Sequence, residues 1–97
     1  MAEHELRTKA RYFQPLIEGV KNFEVRVDDR PGGFAVGDVL DLVEVDDRDF
    51  GPLANKPTGR HALRRVTYVL DLEELLRDHW IETRSQWVVM GLEIYDG

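Results

Sequence analysis

The chain has 97 residues, 13 Lys and Arg against 19 Asp and Glu, a net charge of -6 and no cysteine. That length predicts one domain spanning 1–97, and 42% hydrophobic residues with nine aromatics predict a packed core rather than disorder. Disulfides and thiolate metal sites are excluded by composition. No apolar run reaches the ~20 residues of a membrane-spanning helix and no secretory h-region is visible, so a cytoplasmic protein is expected.

Residues 1–8 read as a short extended entry with His4 and Leu6 on one face. Residues 9–19 read as a helix: Phe13, Leu16 and Ile17 fall at i, i+3, i+4, and Gly19 is placed to end it. Pro15 is comfortable only in a first turn, which starts the helix near Arg11 or Tyr12 or kinks it. Residues 22–27 alternate, and hydrophobicity directs Phe23, Val25 and Val27 to the core and Asn22, Glu24 and Arg26 outward. Gly37-Asp38 makes a tight turn into a strand over 39–45 that is apolar on both faces and therefore covered. Residues 46–59 form the longest loop. A strand over 60–70 follows, with a bulge expected around Leu63–Val66. Asp71 then caps a short helix whose Leu72, Leu75 and Leu76 give it an apolar side. A last strand covers 86–95, with Val88, Met90, Leu92 and Ile94 in phase. The order predicts an α+β fold on a mostly antiparallel, closed or nearly closed sheet. The expected core is Phe13, Leu16, Ile17, Phe23, Val25, Leu40, Leu42, Val66, Val88, Met90 and Leu92.

The charge is unevenly spread. Residues 1–30 balance six cations with six acids, and the remainder carries the whole deficit. Such a chain cannot line a long duplex with positive charge, but a local basic pocket in its first third is available. The stretch Gly19-Val20-Lys21-Asn22-Phe23-Glu24-Val25-Arg26 puts two cations and a carboxylate on one short junction. Lys21 can act as a point charge for phosphate and Arg26 as a planar donor. Glu24, flanked by cations, suits an acceptor or general-base role better than an acid role. The alternative is a structural Glu24–Arg26 pair. His4 is a candidate donor or proton shuttle, or else an anchor for the first strand. Tyr12 and Trp87 lie off the apolar stripes and are candidates for stacking on bases. Arg30 can reach a phosphate or pair with Asp29. His4, His61 and His79 lack ligand spacing, so neither metal nor cofactor is expected.

The sequence Gly-x-Lys-x-x-Glu-x-Arg followed by Val36-Gly37-Asp38 resembles the ASCH domain of the PUA-like superfamily. With His4-Glu5-Leu6-Arg7, Tyr12-Phe13, Asp29-Arg30, Val66-Thr67-Tyr68-Val69-Leu70 and Val88-Val89-Met90, it is similar to a small bacterial and phage branch of unknown function. The resemblance covers nearly the whole chain except 46–59. It implies a small β-barrel of five to six strands flanked by two short helices, with RNA or a nucleotide derivative held at the motif by His4, Arg7, Tyr12, Lys21, Glu24, Arg26 and Arg30. It also implies alternatives. Some relatives resemble ribonucleases, and one group hydrolyses acylated cytidines with a lysine, a threonine and a glutamate. Lys21 and Glu24 would be the catalytic pair here, but Glu24 stands where that group has its threonine, which removes the covalent acyl route. Arg7 replaces the branch's usual lysine and changes donor geometry. A protein-interaction module of phage type, monomeric or weakly dimeric, is the third reading.

Overall fold

In a computed structural model, residues 1–28, 32–80 and 86–97 are described. Their elements follow as β1 (Glu3–Lys9), α1 (Ala10–Ile17), β2 (Phe23–Val27), β3 (Val39–Val45), β4 (Pro57–Asp71), α2 (Leu72–Asp78) and β5 (Trp87–Ile94). The strands form one sheet in the order β1-β3-β4-β5-β2. β1 and β3 are parallel, and every other pairing is antiparallel. The sheet curls into a half-barrel, giving the expected α+β class. The curl brings the two edge strands toward each other, and an Arg26 guanidinium N–H on β2 donates to the Thr8 hydroxyl on β1 at 3.0 Å.

The concave side holds the core. Leu6, Leu40, Leu42, Ala62, Val66, Val88, Met90 and Leu92 converge there, with Phe13 and Leu16 of α1 and Phe34 closing over them. β3 has the expected limits, and both its neighbours are strands, which accounts for its apolar residues on two sides. α1 tolerates Pro15 as its sixth residue, with the loss of one N–H that would otherwise bond Arg11. Gly19 adopts φ +80, the left-handed turn that ends the helix. The Pro15 carbonyl then accepts the N–H groups of both Val20 and Lys21 at 3.1 Å, which fixes where Lys21 emerges.

Three expected core residues lie on the surface: Ile17 is 45% exposed, Phe23 43% and Val25 41%. For β2 the facing is inverted. Glu24 pairs in register with Met90 and Arg26 with Val88, both inward on β5, so the charged set points to the concave side. β5 fixes its own register through Val88, Met90 and Leu92, and β2 must follow, since a slip of one residue would turn every side chain over. Phe23 and Val25 lie on the convex side against Gly91 and Val89. Ile17 sits in the last turn of α1, beyond the reach of the core.

Asp71 does cap α2, its carboxylate accepting the Glu74 N–H at 3.3 Å. None of the helix's leucines is buried, however, because seven residues resting beside β5 cover no second layer. β4 begins at Pro57, earlier than expected, and the connecting loop is 46–56. β4 is irregular in two places, between Pro57 and His61 against β3 and between Val66 and Tyr68 against β5, rather than at Leu63–Val66, and Ile94 is 69% exposed past the end of the core.

Candidate functional site

The seam between β1 and β2 is where the charged junction comes to rest. Lys21 Nζ donates to one oxygen of the Glu24 carboxylate at 2.7 Å, and Arg26 Nε donates to the other at 2.9 Å. Glu24 is only 3% exposed, so its carboxylate is a fixed counter-ion with both oxygens engaged. Lys21 also lies 5.8 Å from the centroid of the Tyr12 ring and 5.5 Å from that of Phe23, within cation–π range of both. The Arg11 guanidinium also stands over the Tyr12 ring, 5.1 Å from its centroid.

Around this cluster lies a cavity of about 610 Å³. Arg7, Thr8 and Lys9 of β1 line one side, and Phe23, Glu24, Val25 and Arg26 of β2 line the other. Tyr12, Lys21 and Trp87 complete the wall. The lining therefore holds four cations and one carboxylate, in a chain whose net charge is -6. Lys9 is shared with Asp49 of the 46–56 loop at 3.3 Å. Arg7 has no ion-pair partner among the described residues.

Of the residues singled out in the sequence, Arg7, Tyr12, Lys21, Glu24, Arg26 and Trp87 share this cavity. His4 does not line it. Its Nε2 pairs with the Asp38 carboxylate at 2.9 Å in the interior, and its ring lies 4.7 Å from that of Phe34. Asp38 also accepts the Ala2 and Ala35 N–H groups at 2.9 and 3.0 Å, and so ties the start of β1 to the turn before β3. Burial pushes the Asp38 carboxyl up, but the Ala2 N–H, the His4 ring and the Ala35 N–H outweigh it and leave it below its ordinary value. Arg30 and Asp29 lie outside the described residues.

Thr8 and Lys9 belong to the cavity and were not singled out. Glu44 was missed as well: it is 4% exposed and is held by the Arg60 guanidinium at 2.8 and 3.0 Å and by the Thr58 hydroxyl. The Arg60 hydrogen bonds lower the Glu44 carboxyl, burial opposes this, and Thr58 adds to the lowering. The available signal was a carboxylate set between two valines in a mostly apolar strand. Among the described residues no group of three His, Asp or Glu side chains is placed to hold a metal, and no helix is long and apolar enough to cross a membrane.

One family profile matches residues 3–92, nearly all of the chain. The chain belongs to the family described as a domain of unknown function, DUF3850. For this DUF3850 chain a similar protein is the "Uncharacterized 12.9 kDa protein in GpA 3'region" of Escherichia phage P2. The two are 37% identical over 91 residues, which is 94% of this chain and 75% of the phage protein.

Proposed function

We propose that this protein binds a nucleotide, a nucleotide derivative or the end of a short single RNA strand in the cavity between β1 and β2. The observation that carries this reading is the make-up of one concave site. Aromatic faces (Tyr12, Phe23, Trp87) stand beside four cations on a chain that is elsewhere acidic. Its volume, about 610 Å³, suits a small ligand and not a duplex. Rings offer π faces for bases, and Arg7 and Lys9 on the rim offer charge for phosphate. The resemblance of the Lys21–Arg26 motif to ASCH domains supports the same assignment. Nucleotide ligands would place its work in the cytoplasm.

Binding is favoured over turnover. A general base has to reach the proton it takes, and Glu24 is only 3% exposed with each oxygen already accepting from a cation. Glu24 acts instead by holding two cations in place at the cavity wall.

The test is titration of isotopically labelled protein with nucleoside monophosphates and with short single-stranded RNA, followed by amide shifts. Shifts are expected at Arg7, Thr8, Lys9 and Tyr12, along 21–26, and at the Trp87 indole. Their absence with every nucleotide, or their confinement to the 46–56 loop, refutes the assignment. Affinity should fall only gently with salt, since few phosphates are contacted.

A further inference from the structure

Phe23 and Val25 line the cavity from the edge strand β2, and the direction of their main-chain groups follows from the pairing of that strand. On β2 the Asn22 carbonyl accepts the Leu92 N–H at 2.8 Å and the Asp28 N–H donates to Gln86 at 2.7 Å, so even-numbered residues turn their main-chain groups toward β5. Alternation along a strand then turns the N–H and C=O groups of Phe23, Val25 and Val27 toward the seam. On β1 the Ala2 carbonyl accepts the Val39 N–H at 2.9 Å, which commits the even residues to β3 and turns the groups of Arg7 toward the seam, while the carbonyl of Lys9, the N-cap, is taken by the first turn of α1. Among the described residues β1 has only β3 as a ladder partner and β2 only β5. Two strand edges thus face one cavity, each offering N–H donors beside C=O acceptors.

We propose, resting on the nucleotide reading above, that the base of the ligand enters edge-on between these strands and is read by main-chain groups of Arg7, Phe23 and Val25. The ligand class is a nucleobase with one hydrogen-bond donor beside one acceptor on its pairing edge. A strand residue presents the complementary acceptor and donor on the same side, so one residue satisfies both. The phosphate stays on the convex rim, where the side chains of Arg7 and Lys9 leave β1. This division assigns base recognition to the backbone and anion recognition to the cations. It also gives the edges the partner that an exposed strand otherwise lacks.

The experiment is calorimetry with two ligand pairs: uridine 5′-monophosphate against its N3-methyl form, and guanosine 5′-monophosphate against its N1-methyl form. Ribose 5-phosphate serves as the baseless control. Methylation removes the edge donor and leaves the phosphate untouched. At least a tenfold loss is expected within whichever pair binds, with ribose 5-phosphate weaker than the unmethylated parent. Methylated and parent forms binding within twofold, or ribose 5-phosphate matching the parent, overturns edge reading while leaving a nucleotide site standing. Failure of all five to bind, with cytidine and adenosine 5′-monophosphates also unbound, removes both.

A second arm acts on the protein. Val25→Pro deletes a seam-facing N–H without removing a bond to β5, a substitution that edge strands accept. It should lose at least tenfold in affinity, whereas Val25→Ala keeps it. Equal binding by the two folded variants overturns the proposal, and if Val25→Pro does not fold, the methylated pairs decide alone.

Discussion

Replacing Glu24 by Gln keeps the shape of the side chain and removes its charge, and the cost can be worked from the geometry. The carboxylate accepts from Lys21 at 2.7 Å and from Arg26 at 2.9 Å with only 3% of the residue exposed. A glutamine oxygen can keep one of these bonds, but its NH₂ then meets the other cation donor to donor. Losing a hydrogen bond to a charged group costs about 1.5–3 kcal/mol, and leaving a fully buried charge unpaired costs about 3–5 kcal/mol. The Lys21 and Arg26 side chains are 16% and 24% exposed, so both keep some water from the cavity and the upper range is not reached. The expected loss is about 2–3 kcal/mol. At a urea slope of roughly 1 kcal/mol per M, the midpoint falls by about 2–3 M. A fall under about 0.5 M, on the same slope, would refute the view that Glu24 holds the cluster together. Combining Glu24→Leu with Lys21→Met and Arg26→Met should restore much of the loss, because a charge cluster replaced as a whole leaves no charge unpaired.

Phe13 and Phe23 should separate sharply: Phe13→Ala, at 0% exposure, costs about 3–5 kcal/mol in urea melts, while Phe23→Ala on the convex face stays under about 1 kcal/mol. Equal losses would mean that β2 faces the other way. Asp38 gives an acid limb to stability, since its carboxyl is lower in the folded chain than in the unfolded one. Its contribution is complete above the ordinary carboxylate value near about 4 and is lost as pH falls through the lower folded value. Asp38→Asn should therefore lower stability at neutral pH and flatten its decline on acidification, measured as urea midpoints from neutrality downward; an unchanged slope would contradict the assignment.

Much of the fold was legible where one local rule operates alone. The Gly19 helix end, the Asp71 cap, the limits of β3 and the buried stripe of β5 each follow from a single residue type or a single periodicity. The facing of β2 was not legible. Alternation divides its residues into two sets, and hydrophobicity then assigns the apolar set inward. At an open edge that assignment fails, because Glu24 and Arg26 satisfy one another together with Lys21 and Thr8, and the register is set by β5. The charged junction itself was conspicuous in the sequence. Its neighbours Thr8 and Lys9 were not, since they reach it only through the pairing of β1 with β3, more than 30 residues along the chain. Glu44 was hidden in the same way, since its partner Arg60 lies 16 positions on and is brought to it by the pairing of β3 with β4.

α1 has eight residues, a proline within it and no cap from its own N-terminal side chain, Lys9. Its Arg11 N–H is instead accepted by Asp47 at 3.1 Å, 36 positions away. Such a helix has little to hold it until β3 and the turn beyond it are in place. Folding should thus begin in the β3–β4–β5 meander, whose pairings are mostly between sequence neighbours, with β1 and α1 docking late and across a long loop closure. The wall that carries Arg7, Lys9 and Tyr12 would be the last part of the molecule to form and the first to open.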